Sequence, residues 1–173
     1  NIDGVFELMK RYGDAVRIVA GATDVMVEND LDPRALVDIT GCGLDYLRSD
    51  ASELRIGAAV TMADVAEWEV IRGTCHEALA DAAKSMGTPQ VRNVATIGGN
   101  LCTALPSADI APALIAFDAT ASCLSARGER TVSVEEFFCG VRKNALKSDE
   151  ILSEISVRKQ DSHVQCVFQK MER

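Results

Sequence analysis

The sequence predicts an α+β fold in two lobes: a small α/β lobe, then a larger lobe with a mainly antiparallel sheet flanked by helices. Three observations lead there. The chain has 173 residues, 47% hydrophobic and 25% charged, an ordinary globular balance that can bury a core without disulfides or a metal staple. Its apolar periodicity passes from a helical opening to short β-branched runs within the first sixty residues. Beyond Thr120 the chain alternates strand-like runs with tight turns, the pattern of antiparallel pairing.

In chain order, Val5, Leu8, Met9 and Tyr12 recur at helical spacing and Gly13 can end that helix. Arg17 to Ala20 reads as a strand running into the turn Gly21-Ala22-Thr23-Asp24, after which Val25, Met26 and Val27 read as a helix start. Ala35 to Ile39 and Glu53 to Ala58 read as strands, and the small lobe is placed at residues 1–58. The larger lobe, 59–173, opens on a capping box, Thr61-Met62-Ala63-Asp64, starting a helix that reaches about Glu69, with a second helix from Glu77 to Met86. Gly87 to Ser107 is expected to be a long loop. Ser107-Ala108-Asp109 caps a segment from Ile110 to Ala116, where Pro112 is tolerable only in the first turn. Thr120 to Ala126 and Arg130 to Val134 suggest a hairpin, followed by a short helix at Val134 to Phe138 and two further strands, Ile151 to Val157 and Val164 to Lys170.

The net charge of −8, with no run of Lys and Arg, argues against duplex nucleic acid as a partner. The longest charge-free stretch, Asn93 to Ala108, is too short to span a bilayer. Asn1-Ile2-Asp3-Gly4 shows no secretory n-region or h-region, and a chain that opens on Asn reads as a fragment. The six cysteines, at 42, 75, 102, 123, 139 and 166, form no C-x-x-C, fit neither a zinc site nor a local iron–sulfur cluster, and are expected to be free thiols in a reducing cytoplasm.

Two glycine turns carry the chemistry: Ala20-Gly21-Ala22-Thr23-Asp24 and Thr96-Ile97-Gly98-Gly99-Asn100. Glycine lets backbone approach a ligand and point successive N–H groups into one concavity, while Thr and Asn add neutral donors, which suits a pyrophosphate. Arg92 is a candidate for one nearby positive charge. Neither turn is a Walker loop or G-x-G-x-x-G. A strand-ending turn is the commoner account of Gly21 alone, and a hairpin or bulge accounts for Gly98-Gly99 as well as a ligand does, so pattern alone leaves the question open. Asp109 suits either ribose or ribityl hydroxyls or a helix cap. His76, His163, Trp68 and the Phe137-Phe138 pair read as packing or surface residues, and with no G-x-S-x-G or metal constellation, any redox chemistry must come from a bound cofactor.

The order Ile18-Val19-Ala20-Gly21-Ala22-Thr23-Asp24, Pro89-Gln90-Val91-Arg92-Asn93-Val94-Ala95-Thr96-Ile97-Gly98-Gly99-Asn100, Leu101-Cys102-Thr103, Ser107-Ala108-Asp109, Asp149-Glu150-Ile151-Leu152 and Phe168-Gln169-Lys170 resembles the FAD-binding subunit of molybdenum hydroxylases, the xanthine dehydrogenase and carbon monoxide dehydrogenase medium-subunit family. The resemblance covers nearly the whole chain. It implies a two-lobed FAD-binding fold, related to that of vanillyl-alcohol oxidase and the cell-wall enolpyruvyl reductase. It also implies that Ile18, Ala20, Gly21, Ala22, Thr23, Asp24 and Val25, with Thr96, Gly98, Gly99 and Asn100, hold FAD around its pyrophosphate. Thr103 and Asp109 match further cofactor contacts, Ile151 or Leu152 a residue near the ring system, and Lys170 a basic residue near the flavin. The implied role is electron relay from a molybdopterin-binding large subunit, through [2Fe–2S] clusters on a small subunit and FAD on this chain, to an acceptor such as NAD. No catalytic residue and no metal ligand is expected on this chain.

Three departures from the family pattern stand out. Ala22 replaces the second glycine of the usual A-G-G, which is harmless only if its φ is negative. The chain looks trimmed at both ends, lacking the family's C-terminal domain, and it has no [4Fe–4S]-carrying insertion. The alternatives are a degenerate or regulatory relative that keeps the fold without flavin, or a stand-alone flavin reductase. On the FAD reading, Gly98→Val or Gly99→Val is expected to abolish flavin binding in a chain that still folds, because a Cβ would take the place of a phosphate oxygen.

Overall fold

A computed structural model describes residues 1–27 and 35–171. The opening helix, α1 (Ile2–Tyr12), is capped by the Asn1 side chain, which accepts from the Gly4 amide, and carries Asp3 in its first turn and Lys10 and Arg11 in its last. Gly13, at φ +54, ends it as expected. Strand β1 (Val16–Val19) pairs in parallel with β2 (Ala35–Asp38). Against this pair Val5 of α1 buries itself with Val37, Ile39, Leu44, Ala59 and Ile151 to form a small core. The helix expected after Asp24 is a pair of turns over its described part, closed by Met26 N–H to Ala22 O and Val27 N–H to Asp24 O. Its continuation lies outside the described residues.

The remaining strands are β3 (Leu47–Ser49), β4 (Glu53–Gly57), β5 (Thr120–Ser125), β6 (Gly128–Ser133), β7 (Phe138–Gly140), β8 (Lys143–Asn144) and β9 (Ile151–Arg158). Five of them form one antiparallel sheet in the order β3-β4-β9-β5-β6, and β7 and β8 form a small hairpin. β4, grouped with the first lobe in the sequence reading, is a strand of this larger sheet, paired along its length with β9. A boundary at residue 58 therefore cuts β4 from its own partner, because alternation of apolar residues says which face of a strand is buried but not which sheet it joins. β3 was not expected at all. It has only three residues and sits at the sheet edge.

Helices α2 (Met62–Ala66), α3 (Glu77–Ser85), α4 (Pro89–Arg92), α5 (Ile97–Thr103), α6 (Ile110–Ala116) and α7 (Val134–Phe137) belong with this sheet. Its inner face, Leu54, Ile56, Ala121, Ile155 and Val157, packs on α2, α3 and α6 through Met62, Leu79, Ile110 and Leu114, all of which are essentially solvent-free. The Thr61–Asp64 capping box forms as read, with Asp64 N–H to Thr61 Oγ1 at 3.1 Å and Thr61 N–H to Asp64 Oδ2 at 3.3 Å, but α2 ends at Ala66, short of Glu69. Pro112 is the third residue of α6, inside the first turn as required.

Two expectations fail. The supposed loop from Gly87 to Ser107 contains α4 and α5, both started by threonine caps, Thr88 onto Val91 N–H and Thr96 onto Gly99 N–H. Glycine's low helix propensity hid α5, and packing overrides it here. The supposed strand from Val164 to Lys170 makes no ladder. That segment lies against the larger core through Cys166 and Phe168, with no neighbouring strand to pair with.

Candidate functional site

The turn after β1 and the first turn of α5 face one cavity of about 530 Å³, closed by Ala58 at the end of β4 and by Asn144, Leu146 and the start of β9. That is a usual size for a cofactor pocket. Of the residues singled out from the sequence, Ile18, Ala20 to Val25, Thr96, Gly98, Gly99, Asn100, Thr103, Ile151 and Leu152 all line it. Asp109 and Lys170 do not. Asp109 sits at the start of α6 without capping it, and its Oδ1 is 3.0 Å from Lys170 Nζ in a second groove. The two hollows adjoin at Ser107 and Ala108.

The two glycine turns contribute in different ways. In the first, the amides of Gly21, Ala22, Thr23 and Asp24 have no acceptor among the described residues. A run of successive unbonded N–H groups among cavity-lining residues is available to an anion. Ala22 has φ +54, so it adopts the left-handed conformation that glycine tolerates and alanine resists. The sequence condition that Ala22 keep a negative φ is not met. Gly21 is needed for a different reason, because a Cβ there would land on the Val94 carbonyl.

The second turn does not offer the expected set of free amides. Ile97 N–H donates to Val60 O and Gly98 N–H to Ala58 O, both at 2.9 Å, while Gly99 N–H is held by Thr96 Oγ1 and Asn100 N–H by Thr96 O. Gly98 is small because a Cβ would lie 2.6 Å from both Cβ and O of Ala58. The stated reason for Gly98→Val is therefore corrected: its side chain would meet protein rather than a phosphate. At Gly99 a Cβ meets only Thr96 Oγ1, at 3.0 Å. What α5 does present is side chains. Asn100 Oδ1 is buried with no partner, while its Nδ2 lies 3.7 Å from Met86 Sδ. Turning the amide over would only exchange which atom is unmatched, so the residue is set to meet a polar group in the cavity. Thr103 Oγ1 donates to Gly99 O at 2.8 Å and lies 3.3 Å from Asp24 Oδ2, tying the two turns together.

Arg17, Asp24 and Glu150 are the charged residues in the lining. Arg92 is absent from it, since its Nη1 donates to Met86 O and Gly87 O. Glu150 is paired with Arg130, whose hydrogen bonds hold its carboxyl down to about 2. Cys102 also faces the cavity, and burial pushes its thiol up to about 12, which leaves it neutral. Sequence reasoning had not selected Arg17, Met86, Asn144, Leu146 or Glu150. Their only signal was adjacency to motif residues, as with Arg17 beside Ile18 and Glu150 beside Ile151. His76 is a satisfied core residue, stacked on Phe117 with ring centroids 4.9 Å apart and its Nε2 3.2 Å from Arg158 O. No metal-binding cluster occurs among the described residues, and none of their helices is long and apolar enough to cross a membrane.

Free amides on one wall, an unmatched amide oxygen on another and apolar residues at Ile151 and Leu152 together fit a phosphate-bearing cofactor with an apolar ring system. Fold and cavity thus define a domain suited to holding a cofactor. The chain belongs to the family described as the FAD binding domain in molybdopterin dehydrogenase, which matches residues 1–159. It is 37% identical over 172 residues to the nicotinate dehydrogenase FAD-subunit of Eubacterium barkeri, covering 95% of this chain and 58% of that one. It is 31% identical to the caffeine dehydrogenase subunit beta of Pseudomonas sp. (strain CBB1), covering 96% and 58%. Among solved structures, a chain of carbon monoxide dehydrogenase from Hydrogenophaga pseudoflava superposes with a TM-score of 0.86 at 29% identity, over 92% of this chain and 56% of that one. The chain therefore spans little more than half the length of these relatives.

Proposed function

We propose that this chain is the FAD-holding part of an electron-transfer subunit in a molybdenum-containing hydroxylase or dehydrogenase. On this reading a large molybdopterin-binding subunit and a small subunit with [2Fe–2S] clusters are its partners, NAD or a similar acceptor takes the electrons, and the complex works in the cytoplasm. The observation that carries the reading is the run of unengaged amides from Gly21 to Asp24 in a cavity whose lining holds nearly every residue singled out from the sequence.

The roles follow from chemistry. Backbone N–H groups of the first turn bind the diphosphate, and Arg17 adds positive charge to the same lining. Asn100 and Thr103 offer amide and hydroxyl groups to sugar or ribityl hydroxyls, and Ile151 and Leu152 form an apolar wall for the ring system and exclude water there. Asp109 and Lys170 act from the adjoining groove, holding the segment after β9 against α6. Bound FAD would supply the redox chemistry, accepting and releasing electrons one or two at a time. We take the lobe division to fall between Leu44, in the small core, and β3, the first strand of the larger sheet.

A second reading, a relative that keeps the fold without flavin, is favoured by one observation, the left-handed Ala22. The stand-alone reductase reading needs a catalytic acid in the cavity, and Glu150 does not serve because Arg130 bonds both its carboxylate oxygens and holds it ionised. The test is a visible spectrum of the purified chain after incubation with FAD, or with FMN, and removal of excess by gel filtration. Retained flavin with FAD but not FMN supports the proposal. A folded chain that retains neither overturns it in favour of the second reading.

A further inference from the structure

A carboxylate in the wall of a cavity that binds a diphosphate needs a partner: Asp24 accepts from Thr103 Oγ1, and the second, Glu150, has a side chain only 6% exposed. Arg130 of β6 meets it at two points, Nε to Oε1 at 2.8 Å and Nη2 to Oε2 at 2.7 Å, and the same Nη2 donates to Ala145 O at 2.7 Å. Lys147 N–H donates to Oε2 at 2.9 Å, and Lys147 Nζ lies 3.8 Å from Oε1. These bonds close a ring around the turn from 145 to 150. That turn carries Leu146 into the cavity wall and leads directly into Ile151 and Leu152. Its other end is tied by Asn144, whose Nδ2 donates to Cys102 O on α5 at 2.7 Å and whose Oδ1 accepts from Leu146 N–H at 3.0 Å. Cys123 of β5 lies close enough to Glu150 to feel its charge, the Arg127–Asp149 ion pair is its neighbour in sequence, and Arg17 and Asp24 share the cavity lining with it. Burial raises the Cys123 thiol and keeps it neutral. Of these groups, Arg130 alone bonds both carboxylate oxygens.

We propose that Arg130 is a positioning residue of the cofactor cavity, cancelling the Glu150 charge in its wall and fixing the 145–150 turn so that the wall accepts an anionic flavin nucleotide. This rests on the FAD reading above. A two-point guanidinium clamp suits the task, because a lysine can hold one oxygen but not the fork geometry. Without Arg130 the carboxylate would stay in the wall uncompensated, where it repels a diphosphate and regains a proton more readily.

The test is the dissociation constant of FAD, from quenching of flavin fluorescence, for the parent, Arg130→Met and Arg130→Met/Glu150→Gln, with folding checked by circular dichroism. Arg130→Met is expected to weaken FAD about tenfold at neutral pH, with affinity recovering as the pH is lowered and Glu150 protonates. The double variant, which has no charge to cancel, is expected to regain most of the loss at neutral pH and to lack that pH dependence. Single and double variants binding FAD equally, or a loss that does not change with pH, would reduce Arg130 to a structural brace and overturn the proposal. If Arg130→Met does not fold, Arg130→Lys takes its place, with an expected loss of about threefold; affinity equal to the parent's would overturn the proposal. Failure of the parent itself to bind FAD would instead sink the functional reading, and this inference with it.

Discussion

Replacing Ala22 by glycine should stabilise this chain, against the usual direction of an alanine-to-glycine change. Ala22 holds φ +54 in the turn after β1. An L-residue with a Cβ in the left-handed region costs about 1–2 kcal/mol, which glycine does not incur. Glycine loses about 0.5–1 kcal/mol of that gain through its greater freedom in the unfolded chain. The net is a stabilisation of up to about 1.5 kcal/mol, or up to about 6 °C in Tm for a chain of this size. Thermal unfolding followed by circular dichroism, with Ala22→Gly beside the parent, measures it. Ala104, at φ +49 after α5, serves as an internal control because Ala104→Gly tests the same physics outside the glycine turns. If Ala104→Gly raises Tm while Ala22→Gly lowers it or leaves it unchanged, the strain argument fails at the cavity. FAD is expected to bind Ala22→Gly at least as tightly as the parent, because the amide cradle keeps its conformation without strain.

Other outcomes follow from the same structure. Gly21→Ala and Gly98→Ala are expected to lose about 1–3 kcal/mol of stability, since each Cβ would meet backbone, whereas Gly99→Ala, which meets only Thr96 Oγ1, is expected to fold normally; equal Tm losses at all three would contradict this. His76 is buried and its pKa lies below the ordinary 6.5 because burial disfavours its charged form. The unfolded chain therefore takes up this proton before the folded one, and stability is expected to fall as pH drops below about 6.5. His76→Gln should flatten denaturant midpoints over that range, and an unchanged slope would assign it to other groups. Glu150 titrates at about 2 in the folded chain, below its ordinary 4.5. Its pairing with Arg130 thus adds stability above about pH 4.5 that is lost as the pH falls toward 2. Urea midpoints across this interval should be steeper for the parent than for Glu150→Gln, and parallel curves would refute it.

What the sequence revealed depended on how local the cause was. The helix over Ile2–Tyr12, the Thr61–Asp64 box and the β5–β6 hairpin are each decided within a few residues and formed close to their expected places, although Leu8 of the expected helix face is exposed and the hairpin turns at Ala126-Arg127, with Gly128 already in β6. α5 was missed because its reason is distant: Gly98 is helical so that Ala58 can touch it, and Ala58 is forty residues away. The pairing of β4 was hidden for a similar reason, its partner β9 lying almost a hundred residues on. The site followed the same rule. Both glycine turns were legible as motifs, but their division of labour was not. Open amides at Gly21 to Asp24 and filled ones at α5 depend on carbonyls of Ala58 and Val60 supplied from elsewhere. Glu150, quoted within the Asp149–Leu152 segment, was given no place in the site because a carboxylate reads as surface until its Arg130 partner is seen.

The touch of Gly21 on the Val94 carbonyl fixes the spacing of the cavity floor beneath the first glycine turn. Two main chains from different parts of the sequence meet there with no side chain between them, so the spacing of the floor is a fixed quantity, one van der Waals contact wide. Substituting the visible, cavity-facing side chains can change what a guest feels at the walls. It cannot widen or narrow this seam, and a guest that needed a different gap would require the backbone itself to be rerouted. In a library of variants, positions 21 and 94 should therefore part ways: every replacement at 21 costs stability, more so as the side chain grows, while at 94, whose half-exposed side chain takes no part in the seam, many are accepted.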